Sequence, residues 1–343
     1  MNNPYTLVFG KEPSEHISRF AQASDVIRAF SSENPPHQMY LISGVRGCGK
    51  TVFMTEIQRT FINDKDWVVA ELNPEKDMLL SLASKLSSES GLARIFQKAS
   101  INLSFWGFGL EVTNTPPVSD IETALSKMLD SLKKHNKRIL VTVDEITGNQ
   151  YVREFIASFQ IMIRQDLPIF LLATGLYDNI RNLQNEKSLT FLYRAPRIDL
   201  RPLNIASVAQ NYKKNLNVDD DKARQMAKLI RGYSFAFQVL GYFSWEKNGD
   251  YEAVLPDLRL YLDEYVYDKI WSELSAKDKS VLQGISEVPS GKIEDIRKIL
   301  NMDSNEFNPY RKRLIDKGII SGEDRGYVKF ELPMFEEYVQ DHI

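Results

Sequence analysis

Met39-Tyr40-Leu41-Ile42-Ser43-Gly44-Val45-Arg46-Gly47-Cys48-Gly49-Lys50-Thr51 is the stretch from which the rest of the chain can be read. Met39 to Ile42 are apolar and long enough for one buried strand. Gly44 to Thr51 satisfy G-x-x-x-x-G-K-[ST] at every fixed position, and Val52, Phe53, Ile57 and Phe61 recur beyond it at helical spacing. Strand, glycine-rich turn and helix in that order mark a phosphate-binding loop rather than a surface turn that happens to end in Lys-Thr. Glycines let the backbone wrap a phosphate so that successive N–H groups face it, and the helix N-terminus adds its dipole. Lys50 would then reach the β and γ phosphates of ATP, and the Thr51 hydroxyl would hold Mg²⁺. The expected nucleotide contacts are therefore Gly44, Val45, Arg46, Gly47, Cys48, Gly49, Lys50, Thr51 and Val52.

Length and composition set the frame around this loop. A chain of 343 residues exceeds one typical domain and suggests two or three. Hydrophobic content of 43% and charged content of 26% are ordinary for a soluble globular protein. A formal net charge of -3 gives no global signal for nucleic acid, so any such surface must be local. One cysteine excludes an internal disulfide framework, and four scattered histidines argue against a zinc cluster. The absence of an 18-residue apolar run and the polar start Met-Asn-Asn-Pro predict a cytoplasmic protein without membrane contact.

Working outward, Trp67 to Leu72 read as a second strand, followed by a helix from about Pro74 to Ser90. Residues 101 to 113 alternate loosely around Gly107 and Gly109 and predict an inserted β-hairpin, closed by Pro116-Pro117. Asp120 caps a helix through Leu132. Ile139 to Val143 form a continuous apolar run, as a central parallel strand buried on both faces should. That strand ends in Asp144-Glu145, where open α/β sheets bind their ligands. Asp144 would hold the magnesium shell, and Glu145 would orient, or take the proton of, an attacking water. Another apolar strand runs from Pro168 to Thr174-Gly175, and a fifth is Ile198-Asp199-Leu200, leading into Arg201-Pro202-Leu203.

Phosphate loop, Asp144-Glu145, a strand ending in Thr174-Gly175 and the exit Arg201-Pro202-Leu203 together resemble the AAA+ and STAND group of ATPases. Within it, the pattern is similar to archaeal-type, initiator-like members with a C-terminal winged helix. The resemblance implies a three-layer α/β P-loop core with a parallel sheet over residues 1–203, a helical lid over 204–267 and a winged helix-turn-helix over 268–343. It places Thr174 where a γ-phosphate sensor stands, with a plain strand-end threonine as the alternative. It puts Arg194 and Arg197 where relatives present an arginine to a neighbouring subunit's nucleotide, with a local ion pair as the alternative. Gly10-Lys11-Glu12 resembles the entry segment that lies against adenine, with Lys11 in place of arginine. In the lid, Gly232 to Gln238 carries neither the arginine nor the proline with which relatives sense the phosphates, and its aromatics read as core, with adenine contacts as the alternative. Residues 250 to 268 predict one further helix.

In the last segment, Ser275-x-x-Asp278 is a capping-box start. Three helices and a hairpin over Ile319 to Leu332 follow. The third helix carries Arg311, Lys312, Arg313 and Lys317, as a helix reading double-stranded DNA could. Helical periodicity predicts Tyr310, Leu314 and Ile315 inward, with Arg311, Lys312 and part of Arg313 outward. Asp303, Glu306, Asp316, Glu323 and Asp324 crowd the same end and oppose phosphate contact. Two functions follow. One is an ATP-hydrolysing switch whose nucleotide state controls DNA engagement, with nucleotide-dependent self-assembly. The other is a STAND-like regulator whose winged helix docks a protein partner.

Overall fold

A computed structural model of the chain describes residues 2–8, 13–107 and 116–342. Gly10-Lys11-Glu12 and the distal part of the expected 101–113 hairpin lie outside the described residues. The chain forms two compact units.

The first unit comprises residues 20–43 and 53–199. Its centre is a five-stranded, all-parallel sheet in the order β2-β3-β4-β1-β5. The strands are β1 (Met39–Ser43), β2 (Trp67–Leu72), β3 (Arg138–Val143), β4 (Ile169–Gly175) and β5 (Arg197–Asp199). β4, the middle strand, is buried at every position, which accounts for its apolar run from Ile169 to Ala173. The pleat sends alternate residues to opposite faces. Ile139, Val141, Ile169 and Leu171 join a core with α3 (Met78–Ser88), α4 (Ser90–Lys98), α5 (Ile121–Lys134), α6 (Gln150–Arg164) and α7 (Tyr177–Asn185). On the other face, Phe170 meets Phe30 of α1 (Phe20–Ser31) and Trp67, while Phe61 of α2 (Lys50–Ile62) packs on both Phe30 and Trp67. Helices on both faces make the three layers. Arg138 fastens α1 by donating to the Phe30 and Ser32 carbonyls at 2.8 Å each, groups that a helix end leaves without partners of its own.

Two expectations for this unit are corrected. The helix after β2 begins at Met78, not Pro74. The Asn73 side chain accepts from the Glu75 amide at 2.8 Å, turning 74–76 away, and Asp77 then caps α3 through the Leu80 amide at 2.9 Å. In place of an inserted hairpin, the described residues 101–107 hold no strand. Asn102 turns the chain into a 3-10 turn at Ser104–Trp106 by accepting from the Ser104 amide, and the Trp106 indole N–H donates to the Val118 carbonyl.

The second unit gathers residues 1–19, 44–52 and 200–343. It holds α8 (Ile205–Asn215), α9 (Asp220–Leu229), α10 (Ser234–Glu246), α11 (Leu255–Leu262) and α12 (Asp268–Ser272), all sharing one apolar core with the elements that follow. Tyr5 is seated in that core, its ring against Phe237 and Tyr212. A side chain at position 241 would start 2.5 Å from the Tyr5 ring, so Gly241 makes the seat. The helix expected over 250–268 starts later, at Leu255 after a 3-10 turn at Glu252–Val254, with Pro256 in its first turn, and it continues through a π turn at Asp263–Tyr267 that joins α11 to α12. The wider turn brings both Val266 and Tyr267 into the core, where the Tyr267 hydroxyl donates to the Pro333 carbonyl.

Three helices then follow, α13 (Ala276–Ser286), α14 (Ile293–Leu300) and α15 (Ser304–Asp316). A short antiparallel hairpin of β6 (Ile320–Ser321) and β7 (Lys329–Phe330) completes the order of a winged helix, and α16 (Phe335–Gln340) packs Phe335 against Tyr267. Ser275 and Asp278 form the expected capping box at the start of α13.

Candidate functional site

The glycine-rich loop Gly44–Gly49 joins β1 to α2. Gly47 and Gly49 have φ of +76° and +92°, values that a side chain disfavours, so the backbone itself requires the motif's second glycine and the glycine at 47 inside it. The Cys48 amide closes a turn onto the Val45 carbonyl at 3.2 Å. Lys50 is buried, and its ammonium returns over the loop to the Gly44 and Val45 carbonyls at 3.1 and 3.2 Å. A buried cation held by two neutral carbonyls has no counter-ion among these contacts, and an anionic ligand would supply one. Cys48 is buried with its sulfur turned toward Gly44, where an added Cβ would sit 2.5 Å away.

The back of the loop is held by residues that the sequence did not single out. The Tyr233 hydroxyl donates to the Arg46 carbonyl at 2.5 Å, and the Phe235 amide donates to the Gly47 carbonyl at 3.0 Å. The Ser234 hydroxyl donates to the Cys48 carbonyl at 2.9 Å, and Arg19 donates to the same oxygen at 3.0 Å. Three successive loop carbonyls thus end on the N-terminus of α10. The Arg46 guanidinium pairs with Glu273, just past α12, at 3.1 Å. Phe237, by contrast, is core, as its helical spacing suggested.

In the sheet unit, the C-terminal ends of β3 and β4 bring Asp144, Glu145 and Thr174 together. Thr174 is fully buried. Its hydroxyl donates to an Asp144 carboxylate oxygen and accepts from the Glu145 amide at 3.0 Å, while its carbonyl accepts from the Ile146 amide at 2.8 Å. Glu145 stands in left-handed backbone with φ of +55°, an uncommon state for a side chain of that size, and its carboxylate is exposed. The two hydrogen bonds to Thr174 hold that turn. The Thr174 proton is therefore directed at Asp144, and the residue couples the two acids. At β1 and β5, the Ser43 hydroxyl donates to Asp199, which also pairs with Arg197 at 2.9 Å.

Arg194 is exposed at the end of the 3-10 segment Lys187–Arg194, whereas Arg197 is occupied by Asp199 and lies over the Tyr177 ring. On α15, Lys312 is exposed. Arg311 instead turns under the hairpin, donating to the Gly322 carbonyl at 3.4 Å, and its Nε is buried. The Arg313 Nε donates to Asp278 at 2.9 Å and its Nη2 to the Ser275 hydroxyl at 3.1 Å, so this arginine braces α15 against the start of α13. Asp278 is only 1% exposed, and removing its partner would strand a buried charge. Lys317 is half-buried.

Residues 264–339 match a domain family described as a domain of unknown function, DUF8462. No curated protein matches the chain. Among solved structures, the Walker-type ATPase paby2304 of Pyrococcus abyssi superposes with a TM-score of 0.65 at 16% identity, covering 95% of this chain and 96% of that one. The ORC2 protein of Aeropyrum pernix, in its ADPNP-ADP complexes, gives 0.61 at 13% identity over 97% and 96%. Its ADP form gives 0.50 at 14% identity over the same shares. Along nearly its whole length the chain shares the fold of these structures.

Proposed function

We propose that this chain is an ATP-binding and ATP-hydrolysing switch, with residues 204–267 as its lid and 268–343 as its output module. The observation that carries the reading is the loop itself: two left-handed glycines and a buried lysine ammonium with only neutral carbonyl partners among its contacts. In this reading the loop amides and Lys50 bind the phosphates. Thr51 and Asp144 are the residues that would hold Mg²⁺, which neutralises charge developing on the phosphate oxygens. Glu145 orients a water for in-line attack on the γ-phosphorus and accepts its proton. Thr174 fixes Asp144 and sets the turn from which Glu145 projects. The test separates binding from chemistry. Lys50→Ala should weaken ADP binding in calorimetry by at least tenfold, about the 1.4 kcal/mol that a lost charge-assisted contact is worth. Glu145→Gln should bind ATP normally and turn it over slowly. Wild-type turnover in Glu145→Gln would remove the role given to that residue.

For the output, the docking of a protein is favoured over DNA. Of the four cations proposed to meet a duplex, Arg311 and Arg313 are engaged with the Gly322 carbonyl and with Asp278, Lys317 is half-buried, and Lys312 is exposed. In the alternative reading, ATP-driven self-assembly would align several modules along one duplex, with Arg194 acting on a neighbour's nucleotide. Activity rising faster than linearly with protein concentration, and losing that rise in Arg194→Ala, would support it.

A further inference from the structure

The order of donors behind the phosphate loop has a consequence at the level of single peptide planes. In a trans peptide, the carbonyl of one residue and the amide N–H of the next point to opposite sides. Tying down the carbonyls of Arg46, Gly47 and Cys48 therefore sets the direction of the amides of Gly47, Cys48 and Gly49. Each carbonyl has its own donor: the Tyr233 hydroxyl, the Phe235 amide, and the Ser234 hydroxyl with Arg19 beside it. Tyr233 is 4% exposed, and its ring occupies the space that a Gly47 side chain would need, with an added Cβ lying 2.3 Å from the hydroxyl.

We infer that Tyr233 is a positioning residue for nucleotide binding, which orients the Gly47 amide toward the phosphates by holding the Arg46 carbonyl from behind. The inference rests on the nucleotide-binding reading of the loop. It gives the lid a route to the phosphates that needs neither an arginine nor a proline at 232–238, because the lid grips the peptide planes themselves. Burial pushes the Tyr233 hydroxyl well above its ordinary pKa, so it remains a neutral donor throughout the working range. Among the described residues the Cys48 carbonyl has two donors and the Arg46 carbonyl has this one hydroxyl, so the two positions should respond unequally to truncation.

The test compares Tyr233→Phe, Ser234→Ala and Lys50→Ala in the full chain, using a fluorescent ADP analogue for affinity and release and melting without nucleotide for stability. Tyr233→Phe keeps the ring and loses only the hydrogen bond. It should raise Kd about five- to tenfold through faster release, the size of one buried hydrogen bond, and leave the nucleotide-free melting temperature within a few degrees of wild type. Ser234→Ala should change Kd less, since Arg19 still serves the same oxygen. Wild-type affinity and release in Tyr233→Phe would overturn the inference, as would a loss of nucleotide-free stability large enough to account for the weaker binding. Should Tyr233→Phe not fold, hydrogen exchange on the wild type decides. The Phe235 amide should gain protection with ADP together with those of the loop, and an unchanged Phe235 amide overturns the inference. If the wild type binds no nucleotide, the reading of the loop fails and this inference with it. Binding that is lost in Lys50→Ala but unaltered in Tyr233→Phe removes the inference alone.

Discussion

Glu145 shows what a single residue can be asked to hold. Left-handed backbone costs a residue with a side chain about 1–2 kcal/mol, and glycine, which is at ease there, loses about 0.5–1 kcal/mol more entropy on folding. Glu145→Gly should therefore leave stability unchanged or raise it by up to about 1 kcal/mol while abolishing turnover, a trade of activity for stability. Urea unfolding checks this, and a clear loss of stability would mean that the turn is not strained. Lys50, Thr51 and Asp144 could be proposed from the sequence because a motif fixes Lys50 and Thr51 to a glycine and a strand end marks Asp144. Thr174 could be found only as a position. That its hydroxyl serves Asp144 and the Glu145 amide depends on how β3 and β4 register. Tyr233 and Ser234 were invisible for a related reason. Their partners lie 186 or more residues away, and no local pattern says where a serine before an apolar helix will point.

At the scale of elements, apolar runs located β1, β3 and β4, because a strand buried on both faces is composed mostly of apolar residues. The spatial order of the strands was not legible, since it depends on which crossover returns to which edge. Short polar turns also escaped, as at Asn73–Asp77, where side chains rather than periodicity set the helix start. The hairpin of β6 and β7 carries a charge that can be tested. Burial, with Glu323 adding to it against Lys329 and Arg231, holds the Glu331 carboxyl above its ordinary range. The folded chain keeps that proton more tightly than the unfolded chain, so stability falls as pH rises from the unfolded value through the folded one. The penalty is complete above that window and absent below it. Glu331→Gln should therefore melt higher than wild type at pH 7 and lose the advantage below about pH 4. Equal melting at pH 7 would show that the carboxyl is adequately paired.

For the molecule as a whole, the use of Arg311 and Arg313 within the winged-helix segment bounds what it can do to DNA. On α15, Lys312 is the exposed cation, so Lys312→Ala should reduce the log-log salt slope of any duplex binding by about 1, while Arg311→Ala and Arg313→Ala leave it unchanged. A like reduction in the arginine variants would mean that they are released on binding and would restore the DNA reading. The division of the chain into units has a different consequence, which concerns time. Residues 20–43 and 53–199 build one unit, while the other draws on the start, the phosphate loop and everything after residue 199. On the ribosome the sheet is therefore complete in sequence while the loop still lacks every donor from positions 233 to 235. At about 5–20 residues per second, those donors follow only seconds later. Until then the motif exists as sequence without the grip of α10 behind it, and a nascent chain arrested short of α10 would carry a phosphate loop whose Arg46 and Gly47 carbonyls have yet to be claimed.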